Sequence, residues 1–197
     1  MKKVLAIVAL VAAMFIAGQA QAQISINAGY APETFVTGNN SANYQGFFVG
    51  VTDNFTLAKG IGVAPGLQFR MNTRNYDGVL GKYKDTQMLI DIPVLFNYPI
   101  GINRDLAVTP FVGPMFSYAV SGTTKYTLGS STNTSKWYGD NSVMNPFNIN
   151  IVFGASLSYN KAKLYAGYRF GLVDQDKSSD HITTKTQGFF VGLGYAL

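Results

Sequence analysis

The sequence has no cysteine, one histidine, one tryptophan and only 13% charged residues. Without cysteine there are no disulfides, no thiolate metal sites, no cysteine nucleophile and no lipid anchor on an N-terminal cysteine. A soluble domain carries about a quarter charged residues, so this chain is short of the groups that keep an ordinary surface in water. Its net charge of +5 becomes +3 once Lys2 and Lys3 are set aside, with 13 basic against 10 acidic residues. That is too mild for a nucleic-acid partner. Beyond the first twenty-odd residues no apolar run is long enough to span a bilayer as a helix.

Residues 1–22 read as a cleaved signal peptide. Lys2 and Lys3 form a positive start, Val4 to Gly18 an uncharged apolar stretch, and Ala20-Gln21-Ala22 a small-x-small cleavage pattern. Gln23 is then the expected mature N-terminus, and 23–197 a single domain with no linker-like stretch dividing it.

Alternation in that domain has a period of two. Ile61, Val63, Pro65, Leu67, Phe69 and Met71 oppose Gly62, Ala64, Gly66, Gln68, Arg70 and Asn72. Between 146 and 160, Phe147, Ile149, Ile151, Phe153, Ala155, Leu157 and Tyr159 oppose Asn148, Asn150, Val152, Gly154, Ser156, Ser158 and Asn160. One face is bulky and apolar and the other small or polar, the pattern of strands with lipid outside and a narrow polar lumen inside. Further strands read at 23–30, 44–56, 86–99, 106–120, 162–172 and 184–197. The expected fold is all-β, an eight-stranded antiparallel up-and-down transmembrane β-barrel, since only helices and closed sheets satisfy their backbones in lipid. A soluble lipocalin-like barrel would instead turn its apolar face inward and dress its outside with charge. Tyr30, Tyr44, Tyr98, Tyr118, Phe147, Tyr159 and Tyr195 fall near strand ends and are expected to form interfacial girdles.

Short links near Ala58-Lys59-Gly60, Pro99 to Asp105 and Asn160-Lys161 alternate with longer polar runs at 31–43, 73–85, 121–145 and 173–183. Short turns belong to the periplasmic rim, which predicts both termini on the periplasmic side. The low-complexity run 121–145 is expected to be a mobile loop. Pro65, Pro93, Pro110 and Pro114 fall inside these strands and are expected to require bulges.

Leu89-Ile90-Asp91-Ile92-Pro93-Val94-Leu95-Phe96-Asn97-Tyr98, Thr109-Pro110-Phe111-Val112-Gly113-Pro114 and Gly188-Phe189-Phe190-Val191-Gly192-Leu193-Gly194-Tyr195 together resemble the small outer-membrane β-barrel domain family abundant in Bacteroidota, of OmpA/OmpX-like architecture. The resemblance implies the bacterial outer membrane as location, its lipids as surroundings and the barrel assembly machinery as a partner during insertion. Leu197 departs from the aromatic terminal residue common in such chains.

Chemistry is sparse. Ser178, Ser179, Asp180 and His181 have the residue types of a triad, but neighbours on one loop rarely converge in space. Asp174, Asp176 and Asp180 lack the glycine and terminal glutamate of a calcium loop. The reading is a non-enzyme with no metal and no cofactor, the competing one a lipid-modifying enzyme with His181 as base. Eight strands leave an interior just wide enough for side chains, which argues against a general diffusion pore and for a structural or surface-interaction role. External basics Arg74, Lys82, Lys84, Lys125 and Lys136 could meet a surface glycan or protein, partly offset by Asp77, Asp85 and Asp140. Inside, Arg70, Asp91 and Arg169 all fall on the lumen face. Confined charges are costly unless paired, so Asp91 is predicted to bridge Arg70 and, where the barrel's shear permits, Arg169.

Overall fold

A computed structural model describes residues 23–57, 60–78, 81–129, 131–139, 144–177 and 183–197. The proposed signal peptide lies outside these residues, as does His181 with Ser178, Ser179 and Asp180.

The strands are β1 (Gln23–Tyr30), β2 (Glu33–Thr37), β3 (Asn40–Thr56), β4 (Gly62–Gly78), β5 (Gly81–Asn97), β6 (Ile100–Gly101), β7 (Leu106–Leu128), β8 (Ser131–Lys136), β9 (Phe147–Tyr159), β10 (Ala162–Gly171) and β11 (Thr184–Ala196). Neighbours pair antiparallel in the order β1-β11-β10-β9-β7-β5-β4-β3, and β1 also pairs with β3, so the sheet returns on itself. β2 continues β1 between the same two neighbours in unchanged register, interrupted only at Ala31 and Pro32. With β1 and β2 counted as one stave, and with β6 and β8 as side pairings of β7, the barrel has the eight staves expected.

The faces divide as the alternation requires. Ile26, Phe47, Val49, Phe69, Phe153, Leu164, Phe189 and Leu193 are exposed on the outside, while Ser25, Asn27, Arg70, Asn72, Gln87, Asp91, Ser117, Asn148 and Asn150 are buried inside. An apolar outside with a polar inside reverses a soluble barrel and leaves lipid as the medium that can cover it. Tyr98, Tyr159 and Tyr195 are exposed near the short-turn rim. Tyr44 corrects the expected girdle: it turns inward, buried, with its hydroxyl donating to Asp85 Oδ2 at 3.1 Å and its ring against Phe35 and Trp137.

The long polar runs are mostly strand. β4 and β5 carry the hairpin to Gly78 and Gly81, residues 40–43 belong to β3, and β7 runs 23 residues before β8 pairs back on it. The expected mobile loop at 121–145 is therefore largely ordered sheet. Beyond the lipid the outward face no longer has to be apolar, so the two-sided signal disappears while pairing continues. Tyr76, Tyr83 and Tyr126 sit in one cross-strand row with ring centroids 5.0 and 4.8 Å apart, which supports the extension.

The prolines also differ from expectation. Pairing skips from Pro65↔Val94 to Gln68↔Asp91 and from Pro93↔Met115 to Phe96↔Val112 with the register kept, while Pro110 and Pro114 stay in register with β9. The one shift between β5 and β7 lies at Met88/Leu89, away from any proline. Each N–H in an antiparallel sheet faces a single neighbour, so a proline opens a gap in one ladder without adding a residue.

Candidate functional site: the lumen charge network

Three strand faces and one interruption build the centre of the lumen. Arg70 on β4 and Asp91 on the adjacent β5 both point inward, nearly level, because Gln68 is the direct partner of Asp91. Arg70 Nε donates to Asp91 Oδ2 at 2.6 Å and Nη2 donates to Oδ1 at 3.2 Å, a bidentate pair with both residues essentially inaccessible. Arg70 Nη1 turns the other way and donates to Glu33 Oε2 at 2.8 Å. Glu33 also faces Arg169, with Oε1 3.6 Å from Nε. Two cations and two carboxylates thus neutralise one another across the barrel.

Of the three residues expected here, Arg70 and Asp91 touch, but Asp91 does not bridge the two arginines. Glu33 does. It was missed because Pro32 and the turn after Thr37 made 31–43 read as loop. Two signals pointed to it: Ala31, Glu33, Phe35 and Thr37 continue the inward parity of β1, and two lumen arginines with one aspartate leave a cation unmatched. Glu33 is, moreover, the only glutamate in the chain.

The interruption at Ala31 and Pro32 is itself used. Ala31 N donates to Gly46 O at 2.7 Å, and Arg169 Nη2 donates to Ala31 O at 3.0 Å and Pro32 O at 3.3 Å, so Arg169 satisfies carbonyls released from the ladder. Glycines on both neighbouring strands make room: a Cβ on Gly46 would lie 2.1 Å from Ala31 O, and one on Gly188 2.1 Å from Pro32 O.

From Glu33 the bonding runs toward the hairpin rim. Asn72 donates to Glu33 Oε2 and to Gln87 Oε1, and Gln87 Nε2 donates to Tyr138 Oη at 2.6 Å. Beside it Thr124 Oγ1 donates to Asp85 Oδ1 at 2.7 Å and receives Trp137 Nε1 at 2.7 Å. Gly122 leaves the space in which the Trp137 and Tyr138 rings lie, since a Cβ there would be 3.0 and 2.5 Å from them. Burial pushes the Tyr138 phenol up to about 12, so it stays protonated at neutral pH. Among the described residues no cluster of histidine and acidic side chains could hold a metal ion. Asp174 Oδ1 instead accepts from the backbone N–H groups of Asp176 and Thr184 at 3.0 and 2.8 Å.

The family model for the outer membrane protein beta-barrel domain matches residues 15–177. The chain belongs to that family. It is an outer-membrane β-barrel protein, in keeping with its apolar outer face and closed sheet. No curated protein matches it. Among solved structures it is similar to Neisserial surface protein A (13% identity, TM-score 0.54, covering 90% of this chain and 99% of that one). It is also similar to the attachment invasion locus protein Ail of Yersinia pestis in complex with the heparin analogue sucrose octasulfate (16% identity, TM-score 0.51, covering 90% and 99%). A major outer membrane protein from Thermus thermophilus has 13% identity and a TM-score of 0.50, covering 90% of this chain and all of that one. At such identities the likeness concerns the fold.

Proposed function

We propose that this protein is a plugged outer-membrane barrel whose external sheet engages polyanionic sugar chains at the cell surface, with neither a diffusion pore nor a catalytic centre. The observation that carries the reading is the layering of the outward face of β4, β5 and β7. Met71 and Met88 form the last apolar row. Thr73, Thr86 and Thr123 follow, then Asn75, Lys84 and Lys125, then Asp77, Lys82 and Thr127. Lys136 on β8, paired with Thr123, adds a further cation one row nearer the membrane, at the threonine level. Arg74 does not join it: its inward-facing guanidinium lies 4.4 Å from the centroid of Tyr76.

Lys84 lies directly opposite Lys125, an arrangement that like charge makes unfavourable and that an anionic ligand would relieve. The row begins two residues, about 7 Å, beyond the threonine layer, where sugar phosphates and sulfates project from an outer leaflet. Short turns at one rim and long hairpins at the other favour the orientation with both termini periplasmic and the lysines outside. That the Ail protein, with this fold, was captured with a polysulfated sugar lends support. The charge network, with Trp137 and Tyr138 above it, supports a sealed lumen. The terminal alternation of Phe189, Val191, Leu193, Tyr195 and Leu197 is what the assembly machinery would read.

The test uses protein reconstituted in lipid nanodiscs. Saturable binding of a sulfated or phosphorylated oligosaccharide that weakens steeply with salt is expected, together with loss in Lys84→Glu/Lys125→Glu and no discrete conductance steps in planar bilayers. Salt-independent binding, or stable pore currents, would reject the reading.

A further inference from the structure

Between the charge network and the short-turn rim the lumen is not filled. A cavity of about 110 Å³ remains, roofed by Arg70 and Arg169 and reaching Asn97, the last residue of β5, and Lys163, the second of β10. Its walls run against the polar character of the rest of the lumen. Phe48, Leu95, Phe111, Met115, Val152 and Phe190 line it, most of them in one apolar cluster. Empty apolar space of this size holds water poorly and accepts small apolar molecules.

Besides Arg169 Nε in the roof, which has no hydrogen-bond partner and lies 3.6 Å from Glu33 Oε1, two polar groups near the short-turn rim meet this apolar space without a partner. Tyr165 Oη has no hydrogen-bond partner, and Lys163 pairs with no carboxylate among the described residues. They are two apart on β10 and so share the lumen face. Both also lean over β11: a Cβ on Gly192 would lie 2.7 Å from Tyr165 Oη, and one on Gly194 3.2 Å from Lys163 Cε. The bare backbone of Gly192 and Gly194 is thus a shelf on which a phenol and an ammonium lie side by side at the entrance to an apolar cavity. A buried hydroxyl and a lumen cation left unmatched are each costly, and one small anion would satisfy both.

We propose that this cavity binds a short-chain aliphatic monocarboxylate. Its carboxylate accepts from Lys163 Nζ and Tyr165 Oη, and its chain, about four to six carbons for a space of this volume, lies among Phe48, Phe111, Val152 and Phe190. One cation and one hydroxyl suit a single carboxylate better than a doubly charged phosphate, and the apolar walls require a tail. Entry is from the short-turn rim, because the arginine network closes the other end. The site therefore does not depend on the external lysines or on their ligand.

The experiment is titration of nanodisc-embedded protein with ¹³C-carboxyl hexanoate, followed by NMR, with empty nanodiscs to subtract partitioning into lipid. Saturable binding at one site is expected, with hexylammonium and hexanol at least about tenfold weaker, as loss of a charge-assisted hydrogen bond implies. Lys163→Gln should weaken hexanoate by about tenfold or more, Tyr165→Phe by less, and Val152→Phe should abolish binding by filling the cavity. Heat-modified gel mobility checks that each variant is folded, and if Val152→Phe fails to fold, Ala64→Leu narrows the same space. Binding no greater than to empty nanodiscs overturns the proposal. So does saturable binding that Lys163→Gln leaves unchanged, or a hexanol affinity equal to that of hexanoate.

Discussion

Glu33 Oε2 accepts from Arg70 Nη1 at 2.8 Å across 37 residues of sequence, and the other oxygen of the same carboxylate faces Arg169. One side chain therefore compensates two buried cations on opposite sides of the lumen.

Glu33→Gln should be among the most damaging single lumen substitutions. It leaves Arg169 without a carboxylate in contact and Arg70 with Asp91 alone, and breaking a buried pair from one side costs about 3–5 kcal/mol. Asp91→Asn should cost about the same. Urea unfolding in detergent micelles would measure both, and a double-mutant cycle between Glu33 and Arg169 should show coupling. Additive losses would mean that water, rather than Glu33, compensates Arg169.

On the outer face, Leu67→Arg or Ile151→Arg should destabilise the barrel by about 2–4 kcal/mol, as expected for cations placed near the bilayer midplane. A polar exchange at Gln68 or Ser156, on the lumen face, should be mild. Equal effects on the two faces would contradict lipid as the outer medium.

Gly46→Ala should cost about 1–3 kcal/mol despite adding one carbon. The new Cβ would meet the backbone oxygen of Ala31 and, at 2.6 Å, Asn72 Oδ1; the first is backbone, and the second belongs to an amide held in place by its Nδ2 donating to Glu33 and Gln87. Gly101→Ala, where nothing lies within 4 Å of the added carbon, is the control. Equal stabilities for the two variants would remove the packing role given to Gly46.

Exchanging Lys84 for glutamate should move stability and binding in opposite directions. Converting the Lys84–Lys125 row into an opposite-charge pair should stabilise the external sheet by about 0.2–1 kcal/mol, while weakening the proposed polyanion binding. A loss of both together would point to misfolding instead of lost recognition.

Trp137, the only tryptophan, reports on the lumen cap. In the native protein its fluorescence should be insensitive to brominated lipids and weakly quenched by iodide, because the ring donates to Thr124 and packs edge-on against Tyr44. Gly122→Val should displace the ring and raise iodide quenching severalfold.

How much of this the sequence could reveal follows from where two environments meet on one strand. Inside the bilayer each strand separates lipid from lumen, so residues such as Phe69 and Arg70 announce the fold by alternation alone, and the lipid-facing portion of every strand was legible. Above the bilayer both faces are wet. Thr123 to Thr127 therefore carries no apolar stripe, and the β7–β8 pairing rests on backbone bonds that leave little trace in composition. Arg70 and Asp91 were predictable as neighbours because they lie on consecutive strands joined by one hairpin. Glu33 sits behind a proline that imitates a strand end, and Arg169 reaches it only through barrel closure, which depends on a shear that one sequence does not disclose. Tyr44 was misplaced for a related reason: a strand-end tyrosine suits the membrane interface and the lumen equally well until the inward parity of β3 is known.

The break at Ala31 and Pro32 has a consequence for the order of assembly. Glu33 belongs to the first stave and Arg169 to the last but one, and in an unclosed sheet these lie at opposite edges. Their contact, and Arg169's hold on the Ala31 and Pro32 carbonyls, can form only when β11 meets β1 and β2. The seam that completes the cylinder is thus also the clasp that neutralises its interior, and an unzipped barrel would reopen first along the line where its charges were last matched.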